Sequence, residues 1–67
     1  MNKSQHWHLG NLMTKYHKYK KGQGYPCYLA LQDYFQEEDG PEISDMEHAE
    51  VVKTFCSYVI DEEDNLE

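Results

Sequence analysis

Sixty-seven residues allow one small domain, near the lower end of what folds alone. Thirteen Asp and Glu against six Lys and no Arg give a formal net charge of −7, with the two signs separated along the chain. A domain this small has little room for a deep catalytic cleft beside its core, no run approaches the roughly 20 apolar residues of a membrane span, and the opening MNKSQHWHLGNLM lacks the apolar stretch of a signal peptide. The expectation is a cytoplasmic protein that is neither an enzyme nor membrane-bound.

The first segment runs from about Gln5 to Lys20. Leu9, Leu12, Met13 and Tyr16 fall at i, i+3, i+4 and i+7, one face of a helix. Ser4 is a candidate N-cap and Gly22 a candidate stop. Lys18, Lys20 and Lys21 sit at the C-terminal end, where positive charge suits the helix dipole. Gly10 weakens the first turns, so fraying is expected there.

The second segment starts after Gly22-Gln23-Gly24. Pro26 suits the first helical position, and Tyr25 before it is pushed toward extended geometry. Cys27, Tyr28, Leu31, Tyr34 and Phe35 repeat at helical spacing, although Tyr28 to Leu31 would also fit a short buried strand. Asp39-Gly40-Pro41 closes the segment with turn chemistry.

The third segment carries the clearest start signal. Ser44-Asp45-Met46-Glu47 is a capping box, in which Ser44 caps the amide three residues on and Glu47 reaches back. Met46, Ala49, Val52, Phe55, Cys56, Val59 and Ile60 mark its apolar stripe, and the helix is expected to end near Asp61.

Three helices joined by short loops predict an all-α fold: a small three-helix bundle over residues 1–60 with an acidic tail at 61–67. Tyr16, Tyr28, Tyr34 and Tyr58 are expected to bury their rings with their hydroxyls at the rim, and Trp7 to cap one end of the core. Leu66-Glu67 reads as the scar of a C-terminal affinity tag.

Stability does not explain the acids. Glu37-Glu38-Asp39 and Asp61-Glu62-Glu63-Asp64 both close helices, where each well-placed negative charge opposes the dipole by about 0.3–1 kcal/mol. Three readings compete. The acids beyond Asp61 are a solvated tail; or the early lysines fold over the acids and neutralise them, each exposed pair contributing about 0–1 kcal/mol; or the acids form an outward face for a basic protein surface.

Lysines and tyrosines alternate in TKYHKYKKGQGYP, residues 14–26. Lys15, Lys18, Tyr19, Lys20, Lys21 and Tyr25 make a candidate nucleic-acid surface, with phosphate contacts from the lysines and base stacking from the rings. Against it, no arginine is present for bidentate guanine readout, the acidic half repels a polyanion, and Tyr16 belongs to the inward stripe. Gly22-Gln23-Gly24 lacks the spacing of a phosphate loop.

His6, His8, His17, His48, Cys27 and Cys56 raise the question of zinc. His48 and Cys56 are eight residues apart on one helix, about 12 Å along its axis, too far to share an ion bound at about 2.0–2.3 Å. No metal or cofactor is expected. Cys27 and Cys56 read as free, packed thiols; a position near a helix N-terminus would favour the Cys27 thiolate.

The preferred expectation is a small regulator or inhibitor whose negative face docks on a basic surface of a protein partner, as a substitute for nucleic-acid phosphates, an analogy with small phage and mobile-element products. The residues assigned to that face are Glu37, Glu38, Asp39, Glu42, Asp45, Glu50, Asp61, Glu62, Glu63 and Asp64. The alternatives are nucleic-acid binding through 14–26, and self-association through the oppositely charged halves.

Overall fold

The computed structural model describes the backbone of residues 1–37 and 39–65, and the side chains of 1–37 and 39–63. It is an all-α, three-helix bundle: α1 spans Lys3–Lys20, α2 Pro26–Gln36 and α3 Asp45–Asn65. None of these helices is long and apolar enough to cross a membrane.

α1 starts earlier than Ser4 would place it. Asn2 is the N-cap: its side chain accepts from the Gln5 amide at 2.9 Å, and Gln5 Oε1 accepts from the Asn2 amide at 3.0 Å. Asn caps as well as Ser, and Gln three residues on completes the box. Gln5 is buried, and its Nε2 donates to the Glu47 carbonyl and to Glu50 Oε1, both at 3.2 Å. Those bonds tie the turn before Gly10 to α3. The helix ends on i→i−3 bonds at Lys21 and Gly22, a tightened last turn that needs no left-handed residue.

Pro26 opens α2 as expected, with Tyr25 extended before it, and the segment is helix, not strand. Gly40 turns the chain toward α3 with φ at +96°, and a Cβ there would overlap the Trp7 ring. Trp7 therefore seals the turn and leaves the core to others; it stays partly exposed and meets His8 edge-on. The Ser44–Glu47 capping box is formed, with the Ser44 amide donating to Glu47 Oε1 at 2.9 Å and the Glu47 amide donating to Ser44 Oγ at 3.1 Å.

α3 does not stop near Asp61. It continues through Asn65, so the first acids of the expected tail are helical. No Gly or Pro interrupts that stretch, and Lys20 of α1 pairs with Glu62, which offsets the acid's conflict with the helix dipole.

α1 is the central helix. It packs against both neighbours, whereas the backbones of α2 and α3 scarcely approach each other. Asn2 and Gln5 reach Glu47 and Glu50 at one end, and Lys20 reaches Glu62 at the other, so α1 and α3 run parallel. Lys15–Glu37 and Tyr19–Asp33 pair α1 antiparallel to α2. The core is Leu12, Tyr16, Ala30, Tyr34, Val51, Phe55 and Val59.

Two expected stripes are rotated. On α3 the buried line is Val51, Phe55 and Val59, while Met46 and Ile60 are exposed. On α2 the inward residues are Ala30 and Tyr34, and Tyr28 and Phe35 stand out at 64% and 67% exposure. Of the four tyrosines expected to bury their rings, Tyr16 and Tyr34 do so and Tyr28 and Tyr58 do not.

Candidate functional site

Two of the five lysines of the first half, Lys15 and Lys20, pair with acids of the later helices. Lys15 Nζ lies 2.6 Å from Glu37 Oε1. Lys20 pairs with Glu62 and also stands over the Tyr16 ring, 5.4 Å from its centre. Tyr19 donates its hydroxyl to the Asp33 carboxylate, and that bond pushes its phenol above the ordinary value. Tyr16 is core, and its phenol is pushed up first by burial and then by Glu63. Of the six residues assigned to nucleic acid, this leaves Lys18, Lys21 and Tyr25 exposed and, among the described residues, uncommitted to an acid. Three such groups make a sparse footprint for a polyanion.

The two ion pairs account for two of the seven puzzling acids. Glu37 is the C-cap of α2 and Glu62 lies in the last turns of α3, each adverse to its helix dipole, and each has a lysine of α1 beside it. Exposed pairs of this kind contribute about 0–1 kcal/mol. Their consequence is geometric: they hold the end of α1 against both partners.

Of the ten acids assigned to a docking face, the eight whose side chains are described are spread along the molecule. Asp39, Glu42 and Asp45 are exposed around the α2–α3 turn, and Glu50, exposed on α3, accepts from Gln5. Asp61 and Glu63 are exposed at the far end of α3. Sixteen residues of helix separate Asp45 from Asp61, about 24 Å. Glu38 and the Asp64 side chain lie outside what the structure describes. Glu47, left out of the assignment, is held below the usual carboxylate range by the Ser44 amide first and the Asn2 side chain second.

The α2–α3 boundary holds what the sequence could not show. Val52 of α3, only partly buried, borders with Phe35, Ala49 and Lys53 an open apolar cleft of about 400 Å³ that Asp45 and His48 also line, and the part-buried Leu31 of α2 lies in the neighbouring hollow. Phe35 is also the wall of a second apolar hollow with Tyr28, Leu31, Gln32 and Gln36. Cys27 and Cys56 meet between the same helices, and the Cys27 thiol is pushed up by burial first and by Cys56 second. The N-terminal position of Cys27 does not make it a ready thiolate.

Beside the cleft lies a part-buried polar chain. His8 Nε2 is 2.7 Å from the Pro41 carbonyl, His8 Nδ1 is 3.2 Å from the Tyr34 hydroxyl, and His48 Nδ1 is 2.7 Å from that same hydroxyl. The Tyr34 phenol is pushed up by burial, so it is a protonated hydroxyl at neutral pH. Sequence reasoning placed Tyr34 at the rim and His8 nowhere in the core. The available signal was His8 at i−4 from Leu12, continuing the Leu12–Tyr16 line. Among the described residues, no three His, Cys, Asp or Glu side chains converge as a metal ion would need.

Comparison with family models, with curated proteins and with solved structures gives no match.

Proposed function

We propose that this chain is a protein-binding module that receives a basic, amphipathic segment of a partner in the α2–α3 cleft. The observation that carries this reading is Phe35, two-thirds exposed on the folded chain and bordering both apolar hollows. An exposed aromatic beside part-buried aliphatic side chains is the usual anchor of a helix-in-groove interface. The flanking charge sets the sign of the partner: Asp45 borders the cleft and Asp39 and Glu42 are exposed on the turn before α3, while Lys53 is the cation that borders it. These acids steer a basic segment and add salt-sensitive attraction. Because the acids gather at the two ends of α3, the reading favours a partner whose basic groups flank an apolar strip over one that ordinarily holds a continuous phosphate track.

The test is a titration with a helical Leu/Lys amphipathic peptide, followed by amide chemical shifts, with a Lys-only peptide of equal charge and a Leu/Glu peptide as controls. Shifts should centre on Leu31, Phe35, Ala49 and Val52, occur only with Leu/Lys, and weaken with salt. Phe35→Ala should cost about 2 kcal/mol of binding. Equal response to the Lys-only peptide, or shifts centred on Lys18 to Tyr25, would refute the cleft as the site. Shifts that follow protein concentration without peptide would assign the cleft to a second copy of the chain instead.

A further inference from the structure

Tyr34 and His48 fix the register of α2 against α3, with the phenolic oxygen 2.7 Å from Nδ1. The two helices run in opposite directions, because α1 is antiparallel to α2 and parallel to α3. Seven residues back along α2 from Tyr34 stands Cys27, and eight residues on along α3 from His48 stands Cys56. Those steps are about 10 Å and 12 Å, two turns each, so the cysteines oppose one another as the tyrosine and histidine do. They lie one turn beyond Leu31 and Val52, at the end of the α2–α3 seam away from the Pro41 turn.

These are the two cysteines of the chain, and both are free. Each is part-buried and packs on the core, so neither is sealed inside it. Cys56 acts on the Cys27 thiol both as a charge and as a hydrogen-bond partner, as adjacent sulfurs do. A disulfide needs Cα atoms about 4.4–6.8 Å apart, and the backbones of α2 and α3 scarcely approach. The movement required falls on a helix end. Cys27 is the second residue of α2, no side chain caps that end, and the loop before it turns on Gly24 at φ +110°. The first turn of α2 is thereby the part of the seam freest to close.

We propose that Cys27 and Cys56 form a reversible dithiol–disulfide site, oxidised by small-molecule disulfides, that clasps the first turn of α2 to α3. The inference does not depend on what occupies the cleft. In the first step one cysteine, as its thiolate, attacks a sulfur of the small disulfide and expels one small thiolate. The second cysteine then gives up its proton, attacks the protein sulfur of the mixed disulfide and expels the other. Two protein S–H bonds and the S–S bond of the oxidant become one protein S–S bond and two small thiols. Two electrons pass from the chain to the oxidant, and an excess of small thiol reverses the exchange.

The experiment equilibrates the full chain with reduced and oxidised glutathione, in buffer and in denaturing urea, starting from both the dithiol and the disulfide. Remaining thiols are then blocked and the intact mass is read. A bridged chain has lost two hydrogens and carries no glutathione. A bridge that stabilises the fold is stabilised by the fold to the same extent. Its equilibrium constant should therefore be at least about tenfold larger in the folded chain than in urea. The oxidised chain should also unfold at a urea concentration about 1–3 M higher than the reduced one. A ratio below tenfold would mean that the fold does not bring the two sulfurs together, and the clasp would be refuted. Chains that take two glutathiones without bridging, or that link to one another in place of closing on themselves, would overturn it equally.

Discussion

α3 presents two apolar lines of the same spacing, and the protein treats them differently. Val51, Phe55 and Val59 are buried, with Phe55 at 0% exposure and edge-on to Tyr16 at 5.7 Å. Val52, Cys56 and Ile60 lie one residue further on, face the α2 side, and are part-buried or exposed. The first line meets α1, a helix that touches both neighbours; the second meets α2, whose backbone stays away. Burial against a close-packed partner is what turns an apolar stripe into stability. Without that partner, the same residue types are left part-buried at the edge of the core, at Val52 and Cys56, or exposed, at Ile60, and on the small surface of such a chain a strip of that kind is a candidate contact area.

The contrast can be broken most forcefully at its two aromatic rings. Phe55→Ala should cost about 3–5 kcal/mol, enough to unfold much of so small a domain, whereas Phe35→Ala should shift stability by less than about 0.5 kcal/mol. Urea denaturation of both variants measures it, and comparable losses would mean that α2 closes on α3. The valine neighbours sharpen the comparison with less disruption: Val51→Ala should cost about 2 kcal/mol and Val52→Ala well under half of that.

Smaller effects separate the seam's local supports from its packing. Ser44→Ala removes the cap of α3 and should cost about 1 kcal/mol at neutral pH. Its partner Glu47 gives that region a pH signature. The Glu47 carboxyl titrates below its ordinary value of 4.5 because it accepts from the Ser44 amide. A depressed value in the folded chain means stabilisation present above the unfolded value and lost as pH falls through the folded one. Glu47→Gln should therefore be less stable than wild type at neutral pH and converge with it in acid, seen in paired unfolding curves. Gly10→Ala should act in the other direction. Its Cβ would meet nothing within 4 Å, and an alanine in place of a mid-helix glycine should gain up to about 1 kcal/mol. A loss on thermal melting would show that α1 needs flexibility there.

Much of the fold was legible because it was written in local chemistry. The Ser44–Glu47 box, Pro26 at the start of α2, the Gly40 turn and the three helical periodicities each concern neighbours within four residues. What could not be read was which line of a doubled stripe turns inward. Val51-Val52, Phe55-Cys56 and Val59-Ile60 are adjacent pairs, so the period alone fits either line, and the position of α1 decides. The same limit hid Gln5 and His8, polar residues buried only because α3 and the Pro41 turn bring them partners. For the site, the separation of charge was visible, but the pairing of Lys15 with Glu37 and Lys20 with Glu62 spans 22 and 42 residues and depends on how the helices are arranged. The expected single acidic face divided into two ends for a simpler reason: a 21-residue helix holds its termini far apart.

The most direct test of the two unlike faces is the relaxation of valine methyl resonances by a soluble gadolinium chelate at the lowest workable protein concentration. The structure predicts fast relaxation at Val52 and protection at Val51 and Val59. Equal protection of Val51 and Val52 at that concentration would mean that the cleft is closed in the isolated chain, and the binding surface argued from it would not exist.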